Sequence, residues 1–412
     1  MTHSAEPASA TAQITEAATR RVTAAGEERL CRLAAISLFD VCACIRGGRG
    51  RLGGAWAGDA GGLALAAHAR DLDDLHPETL THPAGVVWPA VIAASRSQDI
   101  SGARAATAAA IGYELCAATA RLLDAEARRF WHPTTVAGLV GAAGAAAWID
   151  AEDAHLTAAV GHALSLAGGS IVCMLELSET RFVHRAHAAN AGLLAARSAA
   201  AGLRATRLGL ESPRGFLTAF ASDADPAALL GDGDPAIAGA MYRLHPATGF
   251  AQGAIDAART LAPIAPGPVA SLRVDVSPAA AALAGNVAPS TDDDAWWSVP
   301  HAVAVALTSD PAVAFAGGLT PQPATLALAR LCTLEATRSD LGARVQLELA
   351  DGRSLAATVA VPTGHPLAPL TDEQRIGKWN SLAGEGGGAA FGRALAIGER
   401  PFAETVGALL GA

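Results

Sequence analysis

The sequence predicts a mainly α protein, with a large all-helical domain and a smaller α+β lid domain. Three observations carry that expectation. Residues 14–261 hold a succession of segments with apolar side chains at helical spacing and no convincing alternating run. Residues 269–276 then alternate, with Val269, Leu272, Val274 and Val276 on the apolar positions. Two more alternating runs, 345–350 and 354–361, flank Asp351-Gly352, a strong hairpin signal. The expected organisation is a flexible tail over 1–12, a helical domain over 13–263, a lid over 264–369, and a return to the helical domain over 370–412.

In chain order, 14–45 reads as one long helix with Leu30, Leu33, Ala34 and Leu38 on its apolar face, stopped by Gly47-Gly48. Residues 53–68 form a small apolar helix leading into an acidic loop. A helix follows Pro83, and Ser101 caps the next, over 102–123. Residues 136–148 are almost all Ala and Gly, which suits a central helix packed very close to its neighbours. Asp150 or Glu152 caps a helix over 154–167, and 184–202 and 248–261 close the region. In the lid, 297–308 and 321–332 read as helices; 371–382 and 401–410 are helical again.

Composition narrows the function. Hydrophobic residues make up 51% of the 412 and charged residues 17%, and no apolar run looks long enough to span a bilayer. The first dozen residues lack a signal-peptide pattern, so a cytoplasmic protein is expected. A net charge of -9 without a basic aromatic face excludes nucleic acid as a partner. Six scattered cysteines without a CxxC pair point to neither a disulfide framework nor a zinc site. Lys378 is the only lysine, so lysine-dependent chemistry has one candidate.

Polar constellations interrupt the apolar walls. Asp71-Leu72-Asp73-Asp74-Leu75-His76-Pro77-Glu78-Thr79-Leu80-Thr81-His82 packs carboxylates and histidines between two apolar runs. His132 precedes Pro-Thr-Thr at a helix start, where free backbone N–H groups favour an anion. Arg181 with His184 and His187, Arg243 with His245, and His301 after two tryptophans complete the set. Arginines hold carboxylates bidentately, and histidines move protons near neutral pH. Together they describe a pocket for a small polyanion and proton abstraction beside a carboxylate. A metal site in the acidic loop matches no standard spacing. Asp73 and Asp74 read as structural support.

Asp71 to Asp74 with His82-Pro83, His132-Pro133-Thr134, Thr180-Arg181-x-x-His184, Ala254-Ile255-Asp256-Ala257-Ala258 after Pro246, Trp297-Ser298-Val299-Pro300-His301, and the late Pro362-x-Gly364-x-Pro366 with Lys378-Trp379 resemble the MmgE/PrpD family over nearly the whole chain. That family includes 2-methylcitrate dehydratase, cis-aconitate decarboxylase and iminodisuccinate epimerase. The resemblance implies a helical domain plus an α+β lid with the active site between them, a homodimer, and no metal or organic cofactor. It implies that Asp71, His82 and His132 keep family active-site residues and that His184 matches the His of the family's Lys-x-x-His stretch. Decarboxylase-type members place Thr where Leu75 stands, Lys where Arg181 and Arg243 stand, and Tyr where His301 stands. Arginine keeps the positive charge but cannot give up its proton. The expected function is a cofactor-independent lyase acting on a small di- or tricarboxylate. Asp71, His82, His132 and His301 carry catalysis, and Arg181, His184, Arg243 and Leu75 line the substrate. An isomerase or epimerase on the same scaffold and a non-catalytic carboxylate binder are the alternatives.

Overall fold

The computed structural model describes residues 8–52, 59–151, 153–220, 223–224, 226, 233–265, 267–308 and 320–411. The expected tail over 1–12 and the Glu152 cap lie in part or whole outside these residues. Two helices, not one, open the chain: α1 (Ala10–Ala24), capped by Ser9, and α2 (Glu27–Leu52), separated at Gly26. Gly47-Gly48 does not stop α2. A Cβ on Gly48 would lie 1.9 Å from the Ala66 carbonyl oxygen, so this glycine serves the close approach of the next helix. That helix is α3 (Ala60–His68), followed by α4 (Ala84–Ser95), α5 (Gly102–Arg121), α6 (Ala127–Phe130), α7 (Pro133–Ala151) and α8 (Leu156–Leu166). Then come α9 (Val172–Leu175), α10 (Thr180–Ala200) and α11 (Phe216–Ala219).

The centre of the helical part is α7, packed between α5, α10 and α4. Its small residues are the cause. A Cβ on Gly141 would meet the Gly112 carbonyl oxygen at 2.5 Å, and a Cβ on Gly112 would meet the Gly141 oxygen at 2.9 Å, so α5 and α7 cross nearly backbone to backbone. Among the described residues α7 is also the one helix long and apolar enough to cross a membrane, which corrects the expectation that no such run exists. It is 89% buried inside the fold, as a core helix is.

A second core begins at Ala247. It gathers α12 (Gln252–Leu261), α13 (Pro278–Leu283), α14 (Asp292–Trp296), α15 (Val299–Thr308), α16 (Pro323–Ala329) and a four-stranded sheet. The helix α12 therefore packs with the sheet rather than closing the first core. The strands are β1 (Val269–Val276), β2 (Cys332–Ala336), β3 (Ala343–Leu349) and β4 (Ser354–Val359), in the order β2-β1-β3-β4. β1 pairs parallel with β2 and antiparallel with β3, and β3–β4 is the hairpin around Asp351-Gly352. β2 replaces the end of the helix expected over 321–332. The chain then returns through α17 (Asp372–Ala383), α18 (Gly387–Leu395) and α19 (Phe402–Leu410) to pack on α2, where Trp379 stacks on Phe39 at 4.7 Å between centroids.

Candidate active site

The acidic loop leaves α3 through Asp71, whose φ of 48 places it in the left-handed region that a short polar side chain tolerates best after glycine. Asp71, Asp73 and Asp74 are all buried. Arg243 enters from the segment before α12 and satisfies two of them. Its Nη1 donates to Asp71 Oδ1 at 2.8 Å, its Nη2 to Asp73 Oδ1 at 2.8 Å, and its Nε to the Asp73 carbonyl at 2.8 Å. A reciprocal backbone pair fixes the register, Leu75 N–H to the Met241 carbonyl and Met241 N–H to the Leu75 carbonyl. Burial drives Asp71 towards protonation, but Arg243, with His68 and Arg181 behind it, together outweigh burial and hold the carboxyl below its ordinary range.

Asp74 has the opposite environment. Burial and the neighbouring Asp73 push its carboxyl up to about 8. A directed chain reaches it: Trp88 Nε1 donates to Ser37 Oγ, Ser37 lies 2.8 Å from the Tyr113 hydroxyl, and Tyr113 donates to Asp74 Oδ2 at 2.7 Å. The other oxygen accepts the Ala84 N–H at the start of α4.

The Asp74 backbone carbonyl accepts from His82 Nδ1 at 2.5 Å. A carbonyl can only accept, so Nδ1 carries the proton and Nε2 of the neutral ring carries the lone pair. Burial and then the Arg185 and Arg243 cations hold His82 well below its usual pKa, against the pull of Asp73. Burial, followed by Arg185, also holds His132 well below. Both imidazoles are therefore neutral at pH 7.

These groups meet in one cavity of about 300 Å³. Its polar wall is Asp71, His82, Arg128, His132, Arg243 and Thr248. Its apolar wall takes Leu75, Met174 and Ile171 from the helical part and Phe250, Leu283 and Trp297 from the second core. Five residues singled out in the sequence, Asp71, Leu75, His82, His132 and Arg243, thus line one space between the two cores. Arg181 and His301 do not line it. Arg181 is fully buried, donates to the Leu177 and Ser178 carbonyls and lies 4.6 Å from the centre of the Phe182 ring. His301 is buried in α15, with Nε2 3.0 Å from Thr325 Oγ1. His184 stands just behind the wall, its Nδ1 3.3 Å from His132 Nδ1. Arg243 reaches the cavity with most of its donors already committed to the acidic loop.

Three groups escaped the sequence reading. Arg128 lines the cavity and donates to three backbone carbonyls, those of Leu123, Thr79 and Ala120; among the described residues no carboxylate forms a salt bridge with it, and Asp124 acts on it only at longer range. Arg185 is 1% exposed, and its Nε and Nη1 have no hydrogen-bond partner among the described residues. Its charge depresses the surrounding imidazoles. A signal existed: Arg181 and Arg185 fall four apart on the α10 face otherwise formed by Ala188, Ala189, Gly192 and Ala196. The third, His68, places Nδ1 2.8 Å from Asp73 Oδ1. Lys378, the sole lysine, is no free amine. It donates to Asp40 at 2.7 Å and to the Leu72 carbonyl at 2.8 Å, tying α17 to the acidic loop.

No protein of curated function matches the chain. Residues 40–229 match the MmgE/PrpD N-terminal domain and residues 245–397 match the MmgE/PrpD C-terminal domain, the two halves meeting close to where the second core begins. The chain belongs to the MmgE/PrpD family, a family of dehydratase-type and related enzymes that act on carboxylates.

Proposed function

We propose that this protein is an acid–base lyase, a dehydratase or decarboxylase, acting on a small di- or tricarboxylate that also carries an apolar group. The observation that carries the reading is His82. Its Nδ1 is committed to the Asp74 carbonyl, so Nε2 is a fixed lone pair on the cavity wall, the form a base needs to take a proton alpha to a carboxylate. His132 on the same wall is the second proton-transfer group, returning a proton to the leaving group or to the carbanion. Arg128, charged and in no salt bridge among the described residues, holds a substrate carboxylate in the role the sequence suggested for Arg181. Asp71 and Arg243 hold the loop that sets His82. The apolar wall around Leu75, Phe250 and Trp297 supports a substrate with one hydrophobic face.

Purified protein incubated with 2-methylcitrate, cis-aconitate and related acids, followed by NMR, tests this. Turnover with loss of water or carbon dioxide, abolished in His82→Gln, is expected; turnover that survives this substitution overturns the base assignment. Two histidines on one cavity also favour an epimerase as the second reading. Solvent deuterium entering the substrate without net loss of water or carbon dioxide distinguishes it.

A homodimer belongs to the same proposal. The exposed side of α9 and α10 carries Leu175, Val183 and Leu194, each more than half exposed, an apolar stripe of the kind that marks an interface. Light scattering that gives a monomer mass at micromolar concentration removes this part.

A further inference from the structure

Next to the catalytic cavity lies a second, larger one, of about 710 Å³. The two share Leu80, Phe250 and Ala279, which come from the acidic loop, the turn before α12 and the first turn of α13. These three residues form a neck between an inner chamber and an outer one. The rest of the outer wall is largely apolar, with Leu341, Val361, Pro362 and Leu367. Leu367 is 80% exposed, so the outer chamber meets solvent at that rim.

Both sides of this passage are held in place. The Thr363 N–H donates to Asp256 at 2.7 Å and the Tyr242 N–H donates to the Gly364 carbonyl at 3.0 Å, which ties the outer loop over 362–368 to the segments around α12. A Cβ on Gly364, at φ 93, would lie 2.0 Å from the Tyr242 carbonyl oxygen, so this approach needs glycine. On the other side the Leu80 N–H donates to the His76 carbonyl, the His76 N–H donates to the Thr81 carbonyl, and Arg128 donates to the Thr79 carbonyl. Leu80 is held at a φ of 53, a region that L side chains seldom enter, and stays 38% exposed. An apolar side chain kept both strained and partly exposed at a neck points to function.

The charges of the outer chamber are spent on local partners. Glu78 accepts a forked pair from Arg121 at 2.6 and 2.8 Å, and Asp340 accepts one from Arg338 at 2.9 and 3.0 Å. Among the described residues no arginine or lysine lines this chamber, whereas Arg128 and Arg243 line the inner one. The inner chamber thus suits carboxylates and the outer one a neutral chain.

We propose that the outer chamber is a subsite for an alkyl chain on the substrate, which passes the neck of Leu80, Phe250 and Ala279 while the carboxylates stay near Arg128. The substrate class is then a di- or tricarboxylate with an alkyl substituent several carbons long. A coenzyme A ester does not fit this chamber, because its phosphates would face no cation. The subsite rests on the carboxylate reading proposed above and specifies the apolar group of that substrate.

The probes are tricarballylates carrying a methyl, butyl or hexyl group, titrated into the full-length protein by calorimetry. They have no hydroxyl to lose, and binding alone is read. Affinity is expected to rise with chain length, by up to about fourfold per buried methylene and at least about tenfold from methyl to hexyl. Ala360 is exposed and lines only the outer chamber. Ala360→Trp fills that chamber, so the gain from the hexyl chain is lost while the methyl acid binds as it does to wild type. Ala279→Leu, which narrows the neck, is expected to lose the hexyl gain too. Thermal melts establish that both variants are folded. Affinity that stays flat from methyl to hexyl, or a hexyl gain that survives Ala360→Trp, overturns the subsite and leaves the carboxylate reading standing. A coenzyme A ester that binds more tightly than the hexyl acid overturns the assignment to a neutral chain. If not even the methyl acid binds, the carboxylate reading falls and the subsite falls with it.

Discussion

Arg243 grips Asp73 twice, through its carboxylate at 2.8 Å and through its backbone carbonyl at 2.8 Å, while the same guanidinium reaches Asp71. All three residues are buried, so removing the cation leaves two carboxylates in low dielectric without their shared guanidinium, and Asp73 with only its His68 contact. Arg243→Ala is expected to destabilise the fold by about 3–5 kcal/mol in urea unfolding, the usual result of breaking a buried pair from one side. Arg243→Lys recovers only part, because an ammonium cannot make the forked contact. A loss below about 1 kcal/mol would show that the loop holds without this pair.

His82 sets the acid side of the pH profile. Its folded pKa is depressed, so the folded protein keeps the ring neutral where the unfolded chain binds a proton. The contribution to stability is present above the ordinary histidine value of 6.5 and is lost as pH falls below it; His68 and His132 act in the same direction. The acid limb of kcat/KM should therefore have its midpoint below pH 6.5. His82→Gln should cost about 10²–10⁴-fold in kcat. An acid midpoint above 6.5 argues that another group is the base.

Asp74 has the opposite sign. Its folded pKa is raised to about 8, so the contribution of its protonated form is complete below the ordinary carboxyl value of 3.8 and fades until pH passes about 8. Asp74→Asn keeps the shape and removes the ionisation. Thermal melts between pH 6 and pH 9 should fall more steeply for wild type than for the variant; parallel curves would refute the raised value.

Arg128 is expected to act on binding. Arg128→Gln should raise KM by roughly tenfold or more, since a hydrogen bond to a charged group contributes about 1.5–3 kcal/mol, with a smaller change in kcat. A fall in kcat at constant KM would place Arg128 in the chemical step instead.

Gly85 faces the acidic loop from α4. A Cβ there would lie 2.7 Å from Asp73 Oδ2, whose partner oxygen is pinned by His68 and Arg243. Gly85→Ala should lower thermal stability measurably although alanine favours helices. An unchanged or raised Tm would mean that the Asp73 carboxylate can yield.

Much of the fold was legible because helical spacing over the first 261 residues and alternation beyond 269 are local signals. Helix ends were less so. Gly48 reads as a stop, yet its lack of a side chain serves contact with Ala66, which lies in another helix. β2 was hidden because its partner β1 lies more than fifty residues earlier in the sequence. The loop residues Asp71 and His82 stood out as polar groups between apolar runs. Arg185 did not, because an arginine in an Ala-rich helix looks like surface until the packing of the face it shares with Arg181 is known. Residue type and position alone single out Arg181 and His301, and the structure directs their side chains to carbonyls and to a threonine outside the cavity.

Lys378 has a practical consequence. The chain's only ε-amine lies buried against Asp40 and Leu72, so amine-directed acylating reagents find no accessible lysine side chain on the folded protein. Acylation at that residue would count the molecules in which the C-terminal helices have come away from the acidic loop. One natural atom thus serves as a built-in reporter of local opening, with no probe added to the sequence.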